Sequence, residues 1–190
     1  MYALIAVDVQ LDFLPGGALA VPDGDQVLLP LVNLAREASL VVASRDWHPE
    51  NHFSFAEDPT YTDGSWPVHC VQGTKGARIH RSVAKQADFT ISKATDRNPP
   101  DAYSAFAGKT LRPVETLEAI LARSPIDTVV VGGLALDYCV LYTACDASAL
   151  GYITYVPLDA TRGVASDTSA KALITLERAG VHVVEHYPQA

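Results

Sequence analysis

The sequence predicts an α/β fold: three α-β-α layers around a doubly wound, mainly parallel, six-stranded sheet. Two observations lead there. Short apolar runs rich in valine, isoleucine and leucine alternate with segments of helical spacing, the order that right-handed βαβ units produce. Those runs are almost continuously apolar, which is how strands covered on both faces read. No repeat, low-complexity stretch or linker interrupts the pattern. Residues 1–190 therefore read as a single domain, long enough to support one full core.

Tyr2–Val9 is the first strand, followed by a Pro/Gly-rich loop, Phe13-Leu14-Pro15-Gly16-Gly17. A helix is expected from about Gln26 to Ala38, with Pro30 near its first turns, where proline does least damage. Ser39–Ser44 is the second strand. From Arg45 to about Lys75 turn residues dominate, and loops of that length are usually functional. Phe89–Lys93 is a short third strand that leads into a polar loop with Asn98-Pro99-Pro100. Pro113–Arg123 has helical spacing. Thr128–Gly132 is a strand, and Tyr138–Leu150 a helix closed by Gly151. Ile153–Leu158 is a strand, and Val181–Glu185 the last one. Between them Asp167–Ala179 forms a helix, capped by Ser166 or Asp167 and stopped by Gly180.

Composition excludes several functions. The chain has 14 Lys and Arg against 22 Asp and Glu, a net charge of −8, and no basic cluster, so nucleic acid is not an expected partner. No apolar stretch approaches the roughly 20 residues that span a bilayer, so no membrane partner is expected either. Met1–Asp8 lacks the basic segment of a signal peptide. Three cysteines, an odd number, argue against a disulfide framework and for a reducing cytoplasm. An acidic surface suits a monomer or a homo-oligomer equally.

Ligands of open parallel sheets bind outside the C-terminal ends of the strands, so the residues there carry the functional signal. The first strand ends at Asp8, the second runs into Asp46 and His48, the third ends at Lys93 and the fourth leads to Cys139. Cys139 falls where a strand gives way to a helical pattern. A thiol at a helix N-terminus faces unpaired N–H groups and the positive dipole end, which favour thiolate and can hold an oxyanion. The competing reading is a buried small hydrophobe. An acid within an apolar strand, as at Asp8, is costly unless it is paired or does chemistry. Together Cys139, Asp8 and Lys93 suit nucleophilic attack on an amide or ester, with the carboxylate taking the thiol proton and the ammonium favouring both anions. A second group, Asp46, His48, His52 and His69, offers one carboxylate and three imidazoles, a donor set for zinc, iron or manganese. His80, His182 and His186 show no such grouping. Cys70 and Cys145 read as buried neighbours.

The motifs Val7-Asp8-Val9-Gln10-Leu11-Asp12-Phe13, Arg45-Asp46-Trp47-His48-Pro49-Glu50-Asn51-His52, Ser65-Trp66-Pro67-Val68-His69-Cys70, Lys93 and Gly133-Leu134-Ala135-Leu136-Asp137-Tyr138-Cys139 run in order over nearly the whole chain. With Asp101-Ala102-Tyr103 they resemble the nicotinamidases (pyrazinamidases) among the isochorismatase-like cysteine hydrolases. The resemblance implies that fold, with Asp8, Lys93 and Cys139 as the catalytic triad of an amidase acting on linear amides. It implies Asp46, His48, His52 and His69 as ligands of one divalent ion. Phe13, Trp66, Tyr103 and Leu134 match positions that line the ring pocket. Leu134-Ala135 matches a cis peptide, with the N–H groups of Ala135 and Cys139 forming the oxyanion hole. The implied small-molecule substrate is nicotinamide, with pyrazinamide beside it, and the implied setting is NAD salvage. Residues 94–100 vary among members and transfer no role. Two alternatives stand: a superfamily amidohydrolase acting on a carbamoyl or ureido substrate, and a non-catalytic metal and thiol sensor.

Overall fold

The computed structural model describes residues 1–61, 64–97 and 103–188. The loop proline pair Pro99-Pro100, with Asn98 and Asp101, lies outside them. The strands are β1 (Tyr2–Val7), β2 (Leu40–Asp46), β3 (Phe89–Lys93), β4 (Thr128–Leu134), β5 (Ile153–Pro157), β6 (Thr161–Arg162) and β7 (His182–Val184). The helices are α1 (Leu28–Glu37), α2 (Arg81–Ala84), α3 (Leu117–Ala122), α4 (Leu141–Ala149) and α5 (Ser166–Arg178). The strands lie in the order β3-β2-β1-β4-β5-β7, all parallel, and the two-residue β6 pairs with β4 beyond β5. The doubly wound sheet is therefore as the sequence predicts, with β6 as a short addition.

Alternation along β1 builds the two cores. Ala3, Ile5 and Val7 pack with Leu117, Ile120, Ala144 and Leu176 of α3, α4 and α5. Tyr2, Leu4 and Ala6 face the other way, against Leu31 and Leu34 of α1 and Val83 of α2. A period-two side-chain pattern thus serves both layers, and no face of the central strands is left for polar residues.

Several boundaries differ from the sequence pattern, each for a local reason. β1 stops at Val7 because Asp8 turns the chain with φ +49°. α3 starts at Leu117, not Pro113: Lys109 bridges both Ser92 and Thr116, and the Thr116 hydroxyl then caps the helix by accepting from the Ala119 N–H at 3.2 Å. The cap of α5 is neither Ser166 nor Asp167. Ala165 holds that position without a side-chain bond, and the carboxylate of distant Asp137 accepts from the N–H groups of Val164 (2.9 Å) and Ala165 (3.2 Å).

The order of strands reverses between β1 and β4, and this switch point is where such sheets bind ligands. β4 passes so close to the end of β1 that a Cβ on Gly133, at φ +120°, would lie 2.1 Å from the Val7 carbonyl oxygen. Glycine is required there, and the close passage brings the segments after Val7 and after Leu134 together.

Candidate active site

Three strand ends deliver the buried polar centre. Asp8 follows β1, Lys93 closes β3, and Cys139 follows β4. Lys93 is only 1 % exposed, and its ammonium meets three partners: Asp8 Oδ2 at 2.9 Å, Cys139 Sγ at 3.3 Å and, in a shorter contact, Asp46 Oδ1. Asp8 Oδ1 accepts from the Ser44 hydroxyl at 2.7 Å. Oδ2 of Asp8 lies beside Lys93 without forming a directional hydrogen bond. That oxygen is free to accept another proton, and the ligand atoms of Asp8, Asp46 and Cys139 lie within 4.8 Å of one another.

Burial sets the charges. It pushes the Asp8 carboxyl up, with Lys93 opposing and Asp46 adding repulsion. Burial would also raise Asp46, but the Lys93 ammonium and then His48 outweigh it and hold that carboxyl well below the usual range. The two acids share one lysine yet shift oppositely, because Asp46 makes the shorter contact and also faces an imidazole. Burial opposes the charge on Lys93, but Asp46 and Asp8 more than restore it, so the side chain is a fixed cation.

The thiol sits in surroundings unlike those of an exposed helix N-terminus. Burial drives Cys139 well above the ordinary cysteine value, and the nearby Lys93 does not reverse this. Burial therefore favours the thiol over a preformed thiolate, with the Asp8 carboxylate within 4.8 Å of the sulfur. The helix that carries it also differs, because the turn Leu136–Val140 is a π-helix preceding α4. The Ala135 carbonyl accepts from both Tyr138 (3.0 Å) and Val140 (3.1 Å), and the Cys139 N–H between them takes no part in that pair. Single π-turns of this kind recur at functional sites. The Leu134–Ala135 peptide is cis, as the family resemblance implies.

A cavity of about 160 Å³ opens onto Cys139. Phe13, Trp66, Tyr103, Leu134 and Ala135 all line it, while Asp46, His48 and His69 form another part of the wall. A dry apolar cavity of about 150 Å³ holds a benzene ring, so this one accommodates a single substituted six-membered ring. The Trp66 indole donates to the Tyr103 hydroxyl at 3.3 Å, fixing the two rings relative to each other. Tyr138 and Phe53 also line the pocket, and the sequence reading missed both. Tyr138 packs edge-on to Trp66 with centroids 5.0 Å apart, and its place beside Cys139 was the available signal.

Asp46, His48 and His69 bring one ligand atom each to within 4.8 Å of one another. His52 stands outside that trio and packs against His48, with ring centroids 4.2 Å apart. Its Nδ1 bonds the Ser54 hydroxyl (2.8 Å), as His69 Nδ1 bonds the Pro67 carbonyl (2.7 Å), which orients both rings. Burial, followed by repulsion from His48, pulls His52 down to about 4, and burial also lowers His69. Both imidazoles are neutral at pH 7, the form that binds metal. Among the described residues, the buried side-chain atoms without a hydrogen-bond partner are Asp8 Oδ2, His48 Nδ1 and His52 Nε2. Native structures leave few such atoms; Asp8 Oδ2 is ion-paired with Lys93, and the other two are imidazole nitrogens of the Asp/His cluster. The residues present therefore fit a divalent ion.

Comparison with known proteins agrees with this geometry. The model of the isochorismatase domain matches residues 2–187. The chain belongs to the isochorismatase-domain family. Within that family it is 41 % identical to the nicotinamidase/pyrazinamidase of Mycobacterium tuberculosis, over 97 % of this chain and 98 % of that one. Among solved structures, the pyrazinamidase of Pyrococcus horikoshii in complex with zinc superposes with a TM-score of 0.81 and 38 % identity, covering 98 % of this chain and 99 % of that one. The protein PnC1 of L. infantum in complex with nicotinate gives a TM-score of 0.85 and 33 % identity, covering 97 % of this chain and 92 % of that one. No helix among the described residues is long and apolar enough to cross a membrane.

Proposed function

We propose that this isochorismatase-domain chain is a nicotinamidase, hydrolysing nicotinamide to nicotinate and ammonia and accepting pyrazinamide as well. One observation carries the reading: a buried Cys139–Asp8–Lys93 cluster lies at a ring-sized aromatic pocket with an Asp/His cluster in its wall. In this reading Asp8 Oδ2 takes the Sγ proton of Cys139, and the sulfur attacks the carboxamide carbon. The N–H groups of Ala135 and Cys139 receive the oxyanion, a type of contact worth about 3–4 kcal/mol. Asp8 returns the proton to the departing ammonia. It then takes a proton from the water that attacks the thioester and returns it to the Cys139 sulfur as that leaves, freeing nicotinate. Lys93 keeps Asp8 and the sulfur in place and balances the negative charge as it moves between them. Phe13, Trp66, Tyr103 and Leu134 enclose the ring. Asp46, His48 and His69, with His52 packed against His48, would hold zinc, iron or manganese, which would supply a Lewis acid for the ring nitrogen. The reaction places the chain in the salvage of nicotinamide towards NAD.

The aromatic lining favours a ring over a carbamoyl or ureido substrate, and a panel of amides tests this. Nicotinamide should be preferred by orders of magnitude over benzamide, which has the same shape without the ring nitrogen, because a site built around a polar atom discriminates strongly against its loss. Faster turnover of a ureido compound would contradict the assignment.

The pH dependence has a definite sign. The productive state carries one proton shared between Asp8 and Cys139, so kcat/KM should follow a bell. Burial raises Asp8, so the acid limb should lie above the ordinary aspartate range. Burial also raises Cys139, so the alkaline limb should lie above the ordinary cysteine range. A rate that climbs through the ordinary cysteine range, as a free thiol ionising in solution would give, would contradict the proton assignment.

A further inference from the structure

We propose that Gln10 and Asp12, on the turn that follows Asp8, are positioning residues that hold the metal-ligand cluster together, Gln10 through Asp46 and Asp12 through the backbone beside His69. The proposal rests on reading Asp46, His48 and His69 as metal ligands. Neither residue lines the substrate pocket.

Gln10 is fully buried, and its amide makes three hydrogen bonds. Its oxygen accepts from the Asp46 N–H at 2.7 Å. Its nitrogen donates to the Asp46 carbonyl at 2.8 Å and to the Ala77 carbonyl at 3.0 Å. The β1–β2 ladder has its last paired residues at Ala6 and Ala43, and the chain then turns away at Asp8. The Gln10 amide replaces the missing strand and pairs both peptide groups of Asp46. On the other side Asp46 lies in register with Lys93 of β3. Asp46 is thereby held from both sides.

Asp12 does the corresponding work for the loop. Its Oδ2 accepts from the Cys70 N–H at 2.7 Å. Cys70 has φ +47°, a left-handed conformation that a non-glycine residue keeps only when its surroundings enforce it. His69 is the residue before it, so this bond bears directly on where the imidazole points. The carboxylate has room because residue 76 is glycine: a Cβ there would lie 2.1 Å from Asp12 Oδ1. The turn itself is anchored by backbone bonds from Leu11 to Arg78 (3.0 Å), Asp12 to Gly76 (3.0 Å) and His80 to Val9 (2.7 Å). A single rigid turn therefore sets the spacing of two ligand segments far apart in sequence.

The test measures Zn²⁺ affinity, by competition with a chromophoric chelator, and the Co²⁺ ligand-field spectrum of the full chain. The variants are Gln10→Met, Asp12→Ala and Asp12→Asn, each checked for folding by thermal melting. Gln10→Met keeps the shape and loses all three bonds. It and Asp12→Ala should weaken zinc binding by about 10–100-fold, the usual cost of removing a group that orients a ligand, and should alter the cobalt spectrum. Asp12→Asn, whose amide oxygen can still accept from Cys70, should recover most of the affinity. Folded variants with the parent's affinity and spectrum would overturn the positioning role. If Gln10→Met does not fold, the Asp12→Ala and Asp12→Asn pair decides alone. A parent chain that binds neither ion would overturn the metal-ligand reading itself, and the positioning proposal with it.

Discussion

Replacing Cys139 by alanine is expected to reduce ammonia release from nicotinamide by roughly 10⁶-fold in kcat, the scale of loss when the nucleophile of a triad is removed. No other group can substitute for it. Cys139 lines the pocket, whereas Cys70 and Cys145 do not. The substitution removes one sulfur from a site where Lys93 keeps both of its carboxylate partners, so the fold and the metal-ligand cluster should persist. Zinc binding therefore serves as the control. Turnover retained in the alanine variant would exclude Cys139 as the nucleophile, and joint loss of turnover and zinc binding would show that the effect was structural.

Replacing Lys93 by methionine should have the second largest effect, on stability as well as rate. The parent balances two buried carboxylates against one ammonium. Removing the cation from such a pair costs about 3–5 kcal/mol, because the remaining charges stay buried without a partner. The sign of the pH dependence follows. Without Lys93 the folded-state pKa of Asp46 rises above the unfolded value of about 3.9, and that of Asp8, already raised by burial, rises further. The folded state then binds more protons than the unfolded state between those values, so stability is lost as pH rises through that window. Urea denaturation should find Lys93→Met more stable in mild acid than at neutral pH. Adding Asp8→Asn, which removes one of the unpaired charges, should restore part of the loss. A lysine variant as stable as the parent at neutral pH would show that the carboxylates are not charged together in the resting protein.

How much of this was legible in the sequence depended on the kind of interaction. β1, β2 and β4 are legible within a few residues because doubly covered strands are written as largely apolar runs, and β3 is legible at its limits although it is a mixed edge strand, Phe89-Thr90-Ile91-Ser92-Lys93. The same logic exposed Asp8, Lys93 and Cys139, since charge or a thiol at the end of such a run is costly without a purpose. Contacts between distant polar side chains and backbone leave no periodic trace. The Asp137 carboxylate that serves the start of α5, the Gln10 amide that extends a strand ladder and the Ser44 hydroxyl that holds Asp8 were all invisible. The charge balance at Cys139 is hidden for a related reason. Position at a helix N-terminus argues for thiolate, but burial dominates, and its extent is known only from the packing. Among the candidate metal ligands the pattern offered four donors, of which the structure brings three within 4.8 Å of one another and packs the His52 ring against His48.

The most direct test of the central claim is ammonia release from nicotinamide by the purified chain, with metal content determined on the same sample. The assay is run before chelation, after it, and after zinc is restored. The account predicts release that falls with chelation and returns with the metal. A folded, metal-loaded protein that releases no ammonia from nicotinamide would contradict it.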